Sequence, residues 1–155
     1  MSRHQSTTVV GVISDTHGLL RPEVVPAFKH VDLILHAGDI GDPEVLENLK
    51  TVAPVFAVRG NNDRKKWAES IPETRIVPVG DIRVYMIHDV KEMDTPPSGC
   101  QAVIAGHSHR PSIENREGIL FLNPGSAGPR RFKLPICVAR LTVRGSAVSA
   151  RLVEL

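Results

Sequence analysis

The amino-acid sequence predicts an α/β (α+β) fold in which two β-sheets pack face to face with α-helices on the outside. Three observations lead there. Short apolar runs of strand length, most of them rich in Val and Ile, fall between the twelve Gly and twelve Pro residues that punctuate the chain. Strands alternate with helical stretches over the first 60 residues, the pattern of βαβ units and a parallel sheet. From about Arg75 onward, strands succeed one another through turns such as Gly80-Asp81, Glu117-Gly118 and Arg144-Gly145, which reads as antiparallel pairing.

Taken in order, the run Thr8–Ser14 opens the chain as a strand, and Pro22–Lys29 comes next as a helix. Leu33–His36 is the second strand. Pro43–Lys50 is a helix with proline at its start and Asp42 as its cap. Val55–Val58 is the third strand, and Arg64–Ser70 is read as a short third helix. The remaining strands are Arg75–Val79, Ile82–His88, Ala102–Ala105, Ile119–Leu122, Ile136–Val143 and Ala147–Val153. There is no internal repeat, low-complexity tract or linker, so residues 1–155 are expected to form one domain.

Composition narrows the function classes. A 155-residue domain of 16.9 kDa removes roughly 70% of its unfolded surface from water and needs no staples. With one Trp, one Tyr and four Phe, aliphatic residues must supply the core. A formal net charge of +2 gives no reason for general nucleic-acid or membrane-surface binding. No apolar run approaches the ~20 residues that span a bilayer. Met1–Thr8 is polar, and Gly11 and Asp15 interrupt the apolar stretch after it, which argues against a signal peptide. Cys100 and Cys137 are too few for a disulfide framework and are expected as core or strand-edge residues. A cytoplasmic location is the expectation, and a homo-oligomer stays open.

The chemistry lies at the ends of the strands. The first run ends in Ser14-Asp15-Thr16-His17-Gly18 and the second in His36-Ala37-Gly38-Asp39. Arg59-Gly60-Asn61-Asn62-Asp63 comes after the third, Ile82–Ile87 delivers His88, and Ala102–Ala105 delivers Gly106-His107-Ser108-His109. Ligands of open α/β sheets bind outside the carboxyl ends of the strands, where these residues should converge. Imidazole nitrogens and carboxylate or amide oxygens suit divalent metals. Asp15, His17, Asp39, Asn61, His88, His107 and His109 are too many donors for one four-coordinate ion and suit two ions sharing a carboxylate. Read singly, His107 and His109 could be a solvated loop pair and the two aspartates helix caps, but capping leaves the histidines unexplained.

In that order, Asp-x-His, Gly-Asp, Gly-Asn, a lone His and Gly-His-x-His resemble the calcineurin-like dinuclear metallophosphoesterases. Asn123-Pro124-Gly125-Ser126 is similar to a turn of their small single-domain phosphodiesterase branch. The resemblance implies a four-layer sandwich, with Asp15, His17 and His109 on one metal, Asn61, His88 and His107 on the other, and Asp39 bridging them. It implies two divalent ions per chain, manganese first, with nickel, cobalt, iron or zinc as alternatives. Many members carry a His, taken as the acid for the leaving group, where this chain has Asn62.

The expected reaction is hydrolysis of a phosphodiester by in-line attack of a hydroxide shared by the two ions. About +1 of net charge would remain in the cleft to attract the phosphate. Asp39, Asn62 and Asp63 make up the expected catalytic set, and Asn62 and Arg110 the substrate contacts, with Arg130 and Arg131 as further candidates for a phosphate clamp. His36 is expected beside the ligands without being one, and His4 and His30 at the surface. Asp89–Gly99 is expected to set specificity. The alternatives are a phosphomonoesterase using the same site, or a non-catalytic scaffold that retains its metals.

Overall fold

The computed structural model describes residues 6–155 and contains ten strands in two five-stranded sheets. In chain order the elements are β1 (Thr7–Ile13), α1 (Val24–Ala27), β2 (Leu33–His36), α2 (Pro43–Lys50), β3 (Val55–Ala57), β4 (Thr74–Val79) and β5 (Ile82–Ile87). They continue with β6 (Ala102–Ile104), β7 (Ser112–Arg116), β8 (Ile119–Asn123), β9 (Cys137–Arg144) and β10 (Ala147–Glu154). The first sheet has the order β10-β9-β1-β2-β3 and the second β4-β5-β6-β8-β7. His4 lies outside the described residues.

Alternation along the strands explains the layers. Val10 and Val12 of β1, Leu35 of β2 and Ala139, Leu141 and Val143 of β9 turn toward the second sheet. There they meet Val77, Val84, Met86, Ile104 and Leu122 in one buried core. The intervening Ile13, Ile34 and Val138 face the other way, against Val24 and Phe28 around α1 and Val45 and Leu49 of α2. The helices thus cover the outer face of the first sheet.

Helix α2 forms as expected: Asp42 Oδ1 accepts the Glu44 backbone N–H at 2.8 Å and Pro43 occupies the first turn. The other two helical stretches shrink. Of Pro22–Lys29 only the turn Val24–Ala27 is α-helical. Pro26 has no N–H to donate, Glu23 makes no side-chain cap, and His30 adopts a φ of 65° that ends the turn. Arg64–Ser70 contains only a 3-10 turn at Lys66–Ala68, because Lys65 is extended and Asp63 bonds to other backbone groups instead of capping it.

The second half of the chain is not simply antiparallel. Strand β4 is antiparallel to β5, and β7 to β8, but β5, β6 and β8 run parallel. Strands β9 and β10 leave that sheet and join the first through β1, with Val12 opposite Ala139. Strand β7, absent from the expected strands, is exposed along its whole length, so no buried face marks it in the sequence. Parallel β5, β6 and β8 aim their carboxyl ends toward the same edge as β1, β2 and β3, and this collects the polar residues at one place. Among the described residues no helix is long and apolar enough to cross a membrane.

The stacking of the Phe28 ring on Gly11 fixes the distance between α1 and the first sheet. A Cβ on Gly11 would approach Phe28 Cδ1 to 2.9 Å, and Phe28 is fully buried. Phe28→Ala is therefore expected to cost about 3–5 kcal/mol in urea unfolding with an unchanged slope, and a cost below ~1 kcal/mol would contradict this packing.

Candidate metal centre

Five of the expected ligands sit on backbone that side chains seldom adopt. Asp15, His17, Asp39, His107 and His109 have φ of 55°, 48°, 55°, 70° and 63°, in the left-handed region that non-glycine residues avoid. The loops that hold them are laced together: Asp15 N–H donates to Gly38 O at 2.9 Å, His17 N–H to Asp39 O at 2.9 Å, and Gly106 N–H to His88 O at 2.9 Å. Glycine is required where these loops touch. A Cβ on Gly106 would fall on Ser14 Oγ, and one on Gly60 on the backbone nitrogen and Oδ1 of Asp39.

Each carboxylate has a different role. Asp15 Oδ2 accepts from Ser14 Oγ at 2.6 Å and from the His107 N–H at 3.1 Å, which leaves Oδ1 facing the imidazoles. That oxygen lies 3.8 Å from His17 Nε2, 3.8 Å from His88 Nε2 and 3.3 Å from His109 Nε2. Asp39 is held by Asn62, whose N–H and Nδ2 donate to its two oxygens at 2.9 and 3.0 Å. Its Oδ2 lies 3.8 Å from His17 Nε2 and 3.3 Å from His88 Nε2. On the far side Asn61 Oδ1 meets His107 Nδ1 at 3.2 Å, and Asp89 Oδ2 is 3.7 Å from His107 Nε2. Two donor groups within 4.8 Å result, Asp15–His17–His109 and Asp15–Asp39–His88.

The residues fit divalent cations. Asp15 Oδ1, His88 Nε2 and His109 Nδ1 are buried without hydrogen-bond partners, an arrangement that costs free energy unless a cation takes up the lone pairs. His88 Nδ1 meets the Ala37 carbonyl at 2.7 Å, so it carries the proton and Nε2 points its lone pair into the cluster. An imidazole anchored by its second nitrogen on a carbonyl is the usual support of a metal-ligating His. Without a cation, burial opposes charging His88, but Asp39 Oδ2 at 3.3 Å and the charges of the two carboxylates prevail and raise it to about 9. Burial likewise opposes ionised Asp39, yet the nearby His88 imidazole and the Asn62 N–H lower it to about 2. Against the same burial penalty, His109, Ser14 and His88 hold Asp15 low.

Other expected residues fall differently. His36 is fully buried, and its ring is satisfied on both sides. Thr16 Oγ1 donates to Ile40 O at 2.8 Å, so it must accept from His36 Nε2 at 3.0 Å, while the Gly38 N–H donates to Nδ1 at 3.1 Å. A ring that accepts at Nδ1 is neutral, and burial above all pushes His36 down to about 4. Asp63, expected in the catalytic set, presents no oxygen to the cleft. Its carboxylate is buried and accepts the backbone N–H groups of Ile40, Gly41 and Gly60, each at 3.0 Å, which ties the Asp39 loop to the Asn61 loop. Cys100 and Cys137 are free and buried, and burial raises both thiols.

The cleft beside the cluster has a volume of about 470 Å³ and is lined by Asn61, His88 and His107, together with Arg59, Arg64 and Tyr85. Its guanidinium groups are those of Arg59 and Arg64; Arg110, Arg130 and Arg131 do not line it. Asp89 and Glu92, from the segment expected to set specificity, do. Sequence reasoning also missed Ser14 and Asn123. Asn123 Nδ2 donates to Gly106 O at 3.0 Å and to Ser108 Oγ at 3.1 Å, bracing the turn that carries His107 and His109. The Asn-Pro-Gly-Ser spacing was the only signal for it.

The chain has clear relatives. Residues 9–146 match the model of the calcineurin-like phosphoesterase superfamily domain. A probable metallophosphoesterase of Methanothermobacter thermautotrophicus is 37% identical over 160 residues, covering 94% of this chain and 92% of the relative. Among solved structures, one described as a novel archaeal phosphodiesterase aligns with a TM-score of 0.79 at 24% identity, over 96% of this chain and 100% of its own. Zinc-bound Vps29 from Entamoeba histolytica aligns at 0.72 and 22% identity, over 95% and 99%. At these identities the two structures share the fold.

The chelator-treated protein is expected to show two pH windows. His36, at about 4 when folded against 6.5 as a free group, binds its proton more readily in the unfolded chain. Its contribution is present above pH 6.5 and is lost as pH falls through 4, about 3 kcal/mol in all. His88, raised to about 9, contributes below pH 6.5 and loses that contribution as pH rises through 9. Urea unfolding across pH is expected to lose the slope between about pH 4 and 6.5 in His36→Gln, while the slope that Asp39 sets below pH 4 remains, and to lose the alkaline slope in His88→Gln. Unchanged slopes in these variants would contradict the assigned protonation states.

Proposed function

We propose that this chain, which belongs to the calcineurin-like phosphoesterase superfamily and is a metal-dependent phosphate-ester hydrolase, cleaves phosphodiesters at the cleft beside His88. The observation that carries this reading is the continuity of the donor cluster with a cleft of about 470 Å³. A diester needs room for a second substituent, and this cleft offers it directly beside Asn61, His88 and His107. The family uses a dinuclear divalent metal site. In this chain Asp15, His17 and His109 would hold one ion and Asn61, His88 and His107 the other, with Asp39 between them and manganese as the first choice of metal. When bound, such ions lower the pKa of water and offset charge on the phosphoryl oxygens.

The chain's own residues do the rest. Asp39 is kept in place by both donors of Asn62, and Asp63 clamps the two loops that bring Asp39 and Asn61 together. Ser14 and the His107 N–H fix the rotation of Asp15 so that Oδ1 faces the cluster. Arg64, whose Nε donates to Asn61 O at 3.0 Å, and Arg59, paired with Glu73 at 3.2 Å, give the cleft wall donors for the ester's substituent. Asn62 holds no proton for a departing alkoxide, so esters with weakly basic leaving groups are favoured. Fold likeness to Vps29 does not favour a scaffold here, because all seven donors are retained. We place the whole chain in one domain, since both sheets share a core, and in the cytoplasm, where two buried free thiols persist.

The test compares bis(4-nitrophenyl) phosphate with 4-nitrophenyl phosphate in manganese-loaded protein. Diester kcat/KM is expected to exceed monoester kcat/KM by about tenfold or more and to vanish on chelation. A preference for the monoester would overturn the diester reading, and activity that survives chelation would overturn the metal site.

A second comparison addresses Asn62. Asn62→His is expected to raise kcat/KM for an alkyl 4-nitrophenyl diester little, and that for a dialkyl diester by up to ~10²-fold, the range of general acid catalysis. Equal effects on both, in a folded variant of full metal content, would mean that position 62 does not control departure of the leaving group.

A further inference from the structure

The largest apolar side chain offered to water plays no part in the cluster or the cleft. Phe132 is 87% exposed, whereas the other exposed large apolar residues reach at most 46%. It is also held at a φ of 53°, a region aromatic residues avoid. Its neighbours Arg130, Arg131 and Lys133 are exposed as well. From Gly118 to Val153 the chain has six Arg or Lys and no Asp or Glu, and three of those cations are the residues that flank Phe132.

The loop is rooted at the metal centre. Ala127 N–H donates to Ser14 O at 3.1 Å, Ser126 Oγ donates to Asp15 O at 3.0 Å, and the Gly128 backbone lies against the Asp15 and Thr16 carbonyls. The return strand closes on the same point, where Cys137 N–H donates to Ser126 O at 2.9 Å and Ser126 bridges Ile136. Phe132 lies four residues beyond Gly128 and can stand at most about 14 Å from it. Arg21, whose Nε donates to Gly128 O at 3.1 Å, adds a further cation at the root.

We infer that the loop Pro129–Pro135 is a platform for single-stranded nucleic acid: a base stacks on Phe132, and flanking phosphates meet Arg130, Arg131 and Lys133. A large contiguous apolar patch marks a protein-docking surface, whereas Phe132 stands between the exposed Arg131 and Lys133. An aromatic interleaved with cations suits bases and phosphates, which stack and pair without regard to sequence. The inference rests on the phosphodiesterase reading, since a strand held here brings one of its own diesters within reach of the donor cluster.

The probe is a short fluorescent phosphorothioate oligothymidylate, titrated by anisotropy against metal-loaded protein. Phe132→Ala is expected to weaken binding about tenfold and Phe132→Trp to retain it. Arg130→Gln with Arg131→Gln is expected to lower the slope of log affinity against log salt by about 1.4. Phe132 does not line the cleft, so bis(4-nitrophenyl) phosphate should be hydrolysed alike by wild type and Phe132→Ala. Wild-type affinity in Phe132→Ala, or equal competition by thymidine monophosphate and the oligomer, would overturn the platform while leaving the phosphodiesterase standing. Strand binding that needs Phe132, in a protein that hydrolyses no diester, would overturn the phosphodiesterase reading and keep the platform.

Discussion

Asp15 and Asp39 lie buried at the ends of neighbouring parallel strands, with imidazoles of His17, His88 and His109 within 3.3–3.8 Å of their oxygens. Two carboxylates this close and away from water stay ionised together only if positive charge lies between them. Protons on the imidazoles can supply some of it, as the raised His88 indicates, but Asp15 Oδ1 and His109 Nδ1 remain without partners. Divalent cations would supply that charge and take up the free lone pair of Asp15 Oδ1. The surrounding architecture serves to keep the carboxylates and imidazoles in place against their mutual strain.

That strain is local and is held by neighbours that do no chemistry. Left-handed backbone at a non-glycine residue costs roughly 1–2 kcal/mol, and five site residues adopt it. Asp63 spends its whole carboxylate on three backbone N–H groups. Asn123 braces the His107–His109 turn, and Ser126 anchors the Asp15 carbonyl. The sandwich supplies the rigidity: parallel triplets β1-β2-β3 and β5-β6-β8, one in each sheet, carry the site residues after their carboxyl ends. A site built this way is organised before its substrate arrives.

The sequence made local features legible where local physics decides them. Asp42 and Pro43 marked the start of α2, and short runs rich in Val and Ile marked the core strands. Asp, Asn or His after five strands marked where the polar residues gather. Features set by long-range pairing were hidden. Nothing in the run Ile136–Val143 says that it crosses to lie beside β1, and nothing in Ser112–Arg116 marks an edge strand without a buried face. Arg59 and Arg64 entered the cleft through backbone geometry, while Arg110, closer to a ligand in sequence, did not. Asp63 looked catalytic from its neighbours because sequence does not reveal which way a carboxylate turns.

The central claim is that divalent cations are the partners of the buried carboxylates and of the unpartnered nitrogens around them. Calorimetric titration of chelator-treated protein with manganese, in buffers of different ionisation enthalpy at a pH of about 7.5, tests it most directly. Binding requires His88 Nε2 to give up the proton that its carboxylate neighbours otherwise retain up to about 9. The account predicts two ions per chain with release of the His88 proton, and loss of that release in His88→Gln. A stoichiometry of one or none, or uptake without proton release, would contradict it.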